Sequence, residues 1–299
     1  MRAGLALALV CAVGCGDRAP APAASPFRDP EGRSVAVTRL PATRIVSTMQ
    51  SATEWLVALG AGHTLVARTD YDRQPELAAL PSIGGGLDVG AEAVVALRPD
   101  VVLGWRIRAS VDLARALGPF GIPVVAVEAT DTAEAFAQLH TLAVLVGRGE
   151  AASRLADSLR AELARLHALH CPAGQPPETA LLVLSLEPAM AAGGGTWMGE
   201  LAEAACLRNL FGDLDTPWGE VSLEAITARN PRWIVTGRGG DEAPLPPLAT
   251  LPGWRDLEAV RAGRIIAIPG DLYSRLGPTM ADWVRAIGNE RARLEARPD

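Results

Sequence analysis

One short sequence pattern occurs twice in this chain. Residues 92–103 read Glu-Ala-Val-Val-Ala-Leu-Arg-Pro-Asp-Val-Val-Leu, and residues 224–235 read Glu-Ala-Ile-Thr-Ala-Arg-Asn-Pro-Arg-Trp-Ile-Val. In both copies a short helical segment stops before a proline, and an apolar run of strand length follows it. Two copies in separate halves of the chain predict two similar α/β lobes with a cleft between them. Such a cleft favours a binding protein over an enzyme with a single pocket.

The length and composition of the chain fit two globular domains. Its 299 residues are 49% hydrophobic and 21% charged, which is enough to build two cores of ordinary size. The net charge of −6 argues against a nucleic-acid partner, because a phosphate-binding surface needs an excess of Lys and Arg.

The N-terminus has the pattern of an export signal over residues 1–15. A positive residue precedes the apolar stretch 3–13, which is too short to span a membrane, and small residues lead up to Cys15. The same residues resemble a lipoprotein cleavage box, so lipidation of Cys15 is an open alternative to simple secretion. Residues 16–34 are rich in Ala, Pro, Ser and Arg and are interpreted as a flexible tether. We therefore expect a periplasmic or cell-envelope protein.

Strands that alternate with helices predict a largely parallel sheet in each half of the chain. The predicted strands lie at 44–48, 64–67, 101–105, 124–127, 180–186, 233–236 and 264–268. Besides the two helices of the repeat, the predicted helices lie at 54–59, 109–118, 133–146, 148–170, 198–207 and 278–294. The fold class is α/β, with two Rossmann-like lobes assigned to residues 35–147 and 171–299.

The longest uninterrupted helical pattern spans residues 148–170. Leucines and alanines recur there at helical spacing, with Arg and Glu between them, and Pro172 is the first break. At about 1.5 Å per residue such a helix is on the order of 35 Å long. We predict that it bridges the two lobes, and a surface helix within one domain is the alternative.

The cysteines and histidines give no metal-site pattern. Cys171 and Cys206 lie in the predicted domains, where an exported protein could join them as a disulfide, and two unpaired buried thiols are the alternative. The four histidines lack zinc-site spacing, and the chain contains no nucleophile elbow, zincin motif or P-loop. We therefore predict no catalytic residue, no metal and no cofactor.

Candidate ligand-binding residues follow the predicted strands, because ligands of open parallel sheets lie beyond the carboxyl ends of the strands. These candidates are Arg68, Asp70, Tyr71, Gly85, Trp105 and Arg106 in the first lobe, and Met190, Trp197, Trp218, Asp271, Tyr273 and Arg275 in the second. Aromatic rings with a few polar anchors suit a large, flat, partly apolar ligand, although each ring taken singly could belong to the core. The glycine runs 84–86 and 193–195 indicate tight turns or a close approach of the backbone to a ligand.

Several of these segments together resemble a known family. The matching segments are 70–71, 84–86, 98–102, 105–106, 216–218 and 270–278. They are similar to the periplasmic cobalamin-binding proteins of ABC vitamin importers, and the similarity runs from about Arg44 to near the C-terminus. The wider group comprises the helical-backbone receptors for cobalamin, haem and ferric siderophores, which share two α/β lobes joined by one rigid helix.

The chain departs from the cobalamin-binding pattern at three places. Arg68 stands where those proteins have an aromatic residue, the glycine run 84–86 stands where they have a tryptophan, and no cysteine lies near Gly288 in the predicted closing helix. By the resemblance, Cys206 therefore cannot form the disulfide of that family.

The resemblance implies a monomeric solute-binding protein that captures cobalamin or a related corrinoid and delivers it to the permease dimer of an ABC importer in the inner membrane. Glu92 and Glu224 then become the carboxylates, one in each lobe, that dock onto permease arginines. For both residues the alternative is a favourable interaction with the helix dipole, since each lies near the start of its helix.

Two other ligands and one other protein class remain alternatives. A haem site needs an axial His or Tyr, for which Tyr71 and Tyr273 are placed. A siderophore site needs several arginines, and Arg68, Arg106 and Arg275 could supply them. An exported metal-dependent enzyme would need a cluster of His and carboxylates, which the sequence does not assemble.

Overall fold

The computed structural model describes residues 25–238 and 248–297. The predicted export signal, with Cys15, lies outside the described residues. None of the helices in these two ranges combines the length and the apolar character needed to cross a membrane.

The first lobe is built on a three-stranded parallel sheet with the order β1-β2-β3. Its strands are β1 (Ile45–Ser47), β2 (Val101–Gly104) and β3 (Val124–Ala126), and its helices are α1 (Gln50–Ala58), α2 (Ala91–Leu97), α3 (Arg108–Leu117) and α4 (Thr132–Val146). The strand predicted at 64–67 is wrong. Only a single bridge joins Leu65 to Ile45, because a 3-10 turn over Gly62–Thr64 takes up the start of that segment.

Part of the predicted tether packs against the first lobe. Phe27 is 1% exposed and belongs to the core, and Ala126 of β3 donates its backbone N–H to the carbonyl oxygen of Arg28. The prediction of a flexible tether over 16–34 is therefore wrong for residues 25–34. A single aromatic side chain in an otherwise small and polar segment is enough to anchor it, because burying a phenyl ring stabilises by about 1.5–3 kcal/mol.

The second lobe contains a six-stranded mixed sheet with the order β7-β5-β4-β8-β9, and β6 also pairs with β4. Its strands are β4 (Glu178–Leu186), β5 (Ala189–Ala192), β6 (Leu207–Asn209), β7 (Trp218–Glu220), β8 (Trp233–Arg238) and β9 (Ile265–Pro269). Strands β4, β8 and β9 are parallel, as predicted. Strand β6 also runs parallel to β4 but was not predicted, because its first residue was assigned to the predicted helix 198–207. Strands β5 and β7 add an antiparallel extension that the sequence did not predict either. The helices of this lobe are α6 (Trp197–Ala204), α7 (Leu223–Arg229), α8 (Glu258–Arg261), α9 (Gly270–Tyr273) and α10 (Met280–Glu295).

The repeated sequence pattern forms the same local structure in both lobes. Helices α2 and α7 each end at a residue in the left-handed conformation, Arg98 with φ 47° and Asn230 with φ 43°. A proline follows each of these residues, and then strand β2 or β8 begins. One apolar side chain of each helix, Val94 or Ile226, is fully buried. The predicted correspondence between the two lobes is confirmed at this level.

The predicted long helix is confirmed as α5 (Gly149–His170). It packs against α4 of the first lobe and against α6 and α10 of the second. A continuous cluster of buried apolar side chains also runs from one lobe into the other, and it includes Trp55, Leu139, Leu159 and Trp283. The lobes are therefore joined by a shared core as well as by one helix, while the exact domain boundaries stay a prediction.

The C-terminal end of α5 is covalently attached to the second lobe. Cys171 and Cys206 form a disulfide, with their Cα atoms 4.8 Å apart. The alternative of two unpaired thiols is therefore wrong. Because Cys206 directly precedes β6, the disulfide fixes the end of the bridging helix to the edge of the second sheet.

Candidate ligand cleft

A cavity of about 270 Å³ lies between the two lobes. Its wall consists of Met49, Gln50, Ser51, Trp105, Glu128, Ala129 and Gln138 from the first lobe, and Leu184, Trp197, Met198, Trp218, Ser274, Arg275 and Leu276 from the second. In the first lobe the wall residues follow the carboxyl ends of β1, β2 and β3, except for the one that α4 contributes. The cavity therefore occupies the position that a parallel α/β sheet favours for a ligand.

Three tryptophans line this cavity. Trp105 follows β2 of the first lobe and is half-buried, while Trp218 opens β7 of the second lobe and is 37% exposed. Trp197 is the first residue of α6 and is 4% exposed. The structure thus brings together three of the predicted aromatic residues, and two of them face the same space from opposite lobes.

A second layer of aromatic rings supports Trp197 from behind. Its ring meets Trp283 edge-to-face at 5.9 Å, and Trp283 stacks on Tyr273 at 6.3 Å. Tyr273 is 5% exposed, and its hydroxyl donates to the carbonyl oxygen of Val235 at 3.0 Å. Burial raises the pKa of the Tyr273 hydroxyl, which stays protonated. Tyr273 therefore lies in the core and not on the cavity wall, because α9 turns back over β8.

Arg275 of the cavity wall forms an ion pair across the lobes with Glu54, which does not itself line the cavity. Arg275 donates from Nη1 to Oε1 of Glu54 at 2.9 Å, and it also contacts Asp271 through Nε and Nη2, at 2.6 Å from the carbonyl oxygen and 3.2 Å from the carboxylate. Burial raises the pKa of Glu54; Arg275 opposes this shift, and the carboxylates of Asp72 and Asp271 reinforce it. Asp271, a predicted ligand contact, thus binds Arg275 and does not line the cavity.

Four predicted residues of the first lobe lie on an adjoining loop that does not line the cavity. Asp70 accepts a hydrogen bond from the hydroxyl of Ser82, and Arg68 donates to the carbonyl oxygen of the next residue in the chain. Tyr71 is 41% exposed and lies against Gly85, where an added Cβ would come within 3.5 Å of the Tyr71 ring. These side chains are held by contacts within their own loop.

The two glycine runs bring backbone close to backbone. Gly86 has φ 89°, and a Cβ there would lie 2.4 Å from the carbonyl oxygen of Thr48. A Cβ at Gly193 would lie 2.0 Å from the carbonyl oxygen of Thr216. The close partner of Gly86 and of Gly193 is another segment of this chain, whereas the predicted partner of the backbone was a ligand.

The two remaining candidates lie outside the cavity wall. Arg106 is exposed, and its backbone N–H donates to the Glu128 carboxylate at 3.2 Å. Met190 is half-buried in β5, where it pairs with Glu220 of β7. Neither side chain contributes to the surface that Trp105 and Trp218 share.

Several cavity residues were missed by the sequence reasoning. The rule of strand carboxyl ends, applied to β1 and β3 as well, would have found Met49 and Glu128. Gln138 carried no such signal, since it lies in the middle of α4; it is 6% exposed, and its amide donates to the carbonyl oxygen of Val127. Glu54, which does not line the cavity but binds the wall residue Arg275, stands out only as the lone carboxylate of α1.

Glu92 and Glu224 are exposed and occupy equivalent positions in the first turns of α2 and α7. Ser222 caps α7 by accepting the N–H of Ala225 at 3.1 Å. Hydrogen bonds from the backbone N–H of Glu224 and from the Ser222 hydroxyl lower the pKa of Glu224. No salt bridge within the described ranges involves either glutamate, so both carboxylates are accessible from solvent.

Comparison with known proteins agrees with this architecture. The chain is 27% identical over 259 residues to the vitamin B12-binding protein of Pectobacterium atrosepticum, covering 85% of this chain and 90% of that protein. The structure superposes on the periplasmic vitamin B12 binding protein BtuF of Vibrio cholerae with a TM-score of 0.67 and 25% identity, covering 86% and 99% of the two chains. It superposes on the periplasmic heme-binding protein RhuT of Roseiflexus sp. RS-1 with a TM-score of 0.69 and 26% identity, covering 84% and 99%. A family model described as periplasmic binding protein matches residues 45–272, so this chain belongs to that family.

Proposed function

We propose that this protein is an extracytoplasmic solute-binding protein that captures cobalamin or a related corrinoid and delivers it to an ABC importer. The observation that carries this proposal is the pair Trp105 and Trp218, which line one largely apolar cavity from opposite lobes. Rings on both sides of a cleft can hold the faces and edges of a large, flat ligand. A similarity to a relative named vitamin B12-binding protein supports the same ligand class.

Haem is a weaker candidate because the cavity wall offers no histidine or tyrosine among the described residues. Haem iron is commonly held by an axial His, Cys or Tyr, or by Met together with His, so Met49 and Met198 on the wall would not suffice by themselves. Tyr71 lies on the adjoining loop, and the hydroxyl of Tyr273 is buried and bonded to a carbonyl oxygen. The similarity to a heme-binding structure concerns the fold and does not by itself choose between haem and corrinoid.

A ferric siderophore is a weaker candidate because the predicted arginines do not converge. Arg68 and Arg106 lie outside the cavity wall, and Arg275 is already paired with carboxylates. An anionic chelate needs cations that are free to bind it. The apolar, aromatic wall fits a ligand that presents a flat ring system and little net negative charge.

The size of the cavity indicates that it is the floor of a larger binding cleft. Its volume of about 270 Å³ lies just below the range of ordinary ligand pockets, which span roughly 300–1,000 Å³. Trp218 is 37% exposed at its margin, so a ligand larger than the cavity would still cover that ring. A corrinoid bound in this way would extend from the floor into the opening between the lobes.

Export is part of the proposal. The apolar N-terminal stretch supports it, and so does the Cys171–Cys206 disulfide, since such bonds persist in oxidising compartments. Anchoring through a lipid on Cys15 remains a proposal from sequence.

The direct test compares three ligands on the purified mature chain. The protein is incubated in parallel with cyanocobalamin, haemin and a ferric hydroxamate siderophore, passed through a desalting column, and examined by absorbance. We expect cyanocobalamin to be retained at close to one equivalent and to raise the melting temperature. Retention of haemin or the siderophore, with no retention of any corrinoid, would show that the ligand assignment is wrong.

A further inference from the structure

The cation on the cavity wall, Arg275, is engaged by carboxylates from both lobes. Nη1 binds Glu54 at 2.9 Å, Nη2 lies 3.2 Å from Asp271, and Nε donates to the Asp271 carbonyl oxygen. The side chain of Arg275 is 19% exposed and that of Glu54 is 12% exposed, so water screens this pair weakly. Each guanidinium nitrogen therefore already has an acceptor within the protein.

The charged groups that act on Glu54 are one guanidinium, that of Arg275, and two carboxylates. Asp72 is 4% exposed, and its carboxylate, like that of Asp271, acts electrostatically on Glu54. With Glu54 these residues set three carboxylates against one guanidinium. Oε2 of Glu54 and Oδ1 of Asp72 are buried without a hydrogen-bond partner among the described residues. On the cavity wall itself the remaining charged side chain is also acidic, Glu128.

We infer that Glu54 and Asp271 are specificity-determining residues, which make the cleft accept neutral or cationic planar ligands and reject anionic ones. This inference rests on the proposed function. An arginine in a ligand cleft would ordinarily attract carboxylate-bearing ligands. Here the Arg275 guanidinium is already paired with the carboxylates of Glu54 and Asp271. A ligand carboxylate placed beside these two groups would be repelled by their like charge. Specificity of this kind comes from repulsion of the wrong ligand as much as from attraction of the right one.

The experiment uses probes that share a ring system and differ in charge. One pair is cyanocobalamin and its monocarboxylic acids, in which one peripheral amide is hydrolysed to a carboxylate. The other pair is iron protoporphyrin dimethyl ester and iron protoporphyrin with free propionates. Dissociation constants are measured at low and high salt for the wild type and for Glu54→Gln and Asp271→Asn. Glu150→Gln is the control, because it removes the same charge from an exposed site on α5 outside the cavity wall.

We expect the wild type to prefer the neutral member of a pair by at least about tenfold at low salt, and Glu54→Gln to reduce that preference by about tenfold. Asp271→Asn should reduce it less, because its carboxylate is 51% exposed and better screened. Glu150→Gln should keep the wild-type preference. Thermal unfolding of each variant verifies that it is folded. Two independent variants are used so that the inference can still be tested if one of them does not fold.

The failure of this inference can be told apart from the failure of the proposed function. If cyanocobalamin binds and its monocarboxylic acids bind equally well, or if Glu54→Gln leaves the preference unchanged, charge selection is wrong and the corrinoid assignment stands. If no corrinoid binds but the porphyrin ester is preferred by the wild type and not by Glu54→Gln, the corrinoid assignment is wrong and charge selection stands.

Discussion

The carboxylate of Glu54 in the first lobe lies 2.9 Å from the guanidinium of Arg275 in the second lobe, at the wall of the cleft. A second contact joins the lobes: the backbone N–H of Trp197 donates to the carbonyl oxygen of Thr130 at 2.9 Å. Arg275 and Trp197, which line the cleft, therefore also help to hold the two lobes together. Ligand selection and the relative position of the lobes depend on shared side chains.

The Glu54–Arg275 pair should be energetically coupled. Arg275→Met leaves the Glu54 carboxylate buried without its cation, and removing one partner of a buried pair typically costs about 3–5 kcal/mol. Adding Glu54→Gln to that variant should restore part of the loss, giving a coupling free energy of about 0.5–3 kcal/mol. Urea unfolding of the two single variants and the double variant measures it. If the double variant is destabilised by the sum of the two single changes in unfolding free energy, Glu54 and Arg275 are not energetically coupled.

Glu54 should also make stability depend on pH in a defined direction. Burial raises the pKa of Glu54 above its ordinary value of 4.5, so the folded state binds a proton more tightly than the unfolded chain. The contribution of Glu54 to stability is then fully present below about pH 4.5 and is lost as pH rises through the folded pKa. The unfolding free energy of the wild type minus that of Glu54→Gln should therefore fall as pH rises from about 4.5. A difference that stays flat with pH would refute this assignment.

Ligand binding should be visible through the tryptophans of the cleft. Cyanocobalamin absorbs where tryptophan emits, so a corrinoid beside Trp105 and Trp218 should quench intrinsic fluorescence. Trp218→Ala should weaken binding by about 1–2 kcal/mol, because it removes one aromatic wall. Trp254→Phe is the control, since Trp254 is 3% exposed in a separate core cluster and does not line the cavity. If Trp218→Ala binds cyanocobalamin as tightly as the wild type, the Trp218 ring does not contribute to ligand binding.

Regular patterns in the sequence predicted the framework of the fold. The repeat predicted α2 with β2 and α7 with β8, because a helical segment that stops before a proline and an apolar run of strand length after it indicate a helix followed by a buried strand. The long helix was predicted from spacing alone. By contrast, β5 and β7 are short and contain alanine and glycine, and they form only by pairing with each other and with β4. Such strands depend on tertiary neighbours that a local pattern does not reveal.

The position of a residue after a predicted strand identified part of the site. Whether its side chain points into the cavity or into the core could not be predicted from the sequence. Trp105, Trp197 and Arg275 follow strand ends and reach the cavity, and Trp218 reaches it from the start of β7. Tyr273 also follows a strand end but turns into the core. The strand-end rule fixes where the backbone lies and leaves the rotamer undetermined. Glu54 could not be predicted, because its partner lies 221 residues further along the chain.

Gly288 should be a position where no side chain is tolerated. The imidazole of His170 lies over it, and a Cβ added to Gly288 would come within 2.2 Å of the ring. Gly288→Ala should therefore destabilise the fold by about 1–3 kcal/mol, the usual effect of overpacking. The double variant His170→Ala/Gly288→Ala should lose less than the sum of the single changes, as measured by urea unfolding. A fully stable Gly288→Ala would show that α5 and α10 can separate there at little cost.

The last prediction concerns the proposed docking of the two lobes onto a permease. Glu92 and Glu224 occupy equivalent exposed positions in the two copies of the repeat, outside the cavity wall. If they contact permease arginines, the double reversal Glu92→Lys/Glu224→Lys places like charges together, and docking should weaken by a few kcal/mol. Cyanocobalamin affinity of the purified variant should stay near that of the wild type, because neither carboxylate reaches the cavity.

The matched control for this charge reversal is Glu76→Lys/Glu150→Lys, which changes the net charge by the same amount at two other exposed positions. Uptake of labelled cyanocobalamin is measured in cells that depend on this protein, alongside titration of each purified variant. We expect uptake to fall only in the Glu92 and Glu224 double variant. Unchanged uptake in that variant, or loss of ligand binding together with uptake, would remove the docking role and leave both glutamates as residues that favour the start of a helix.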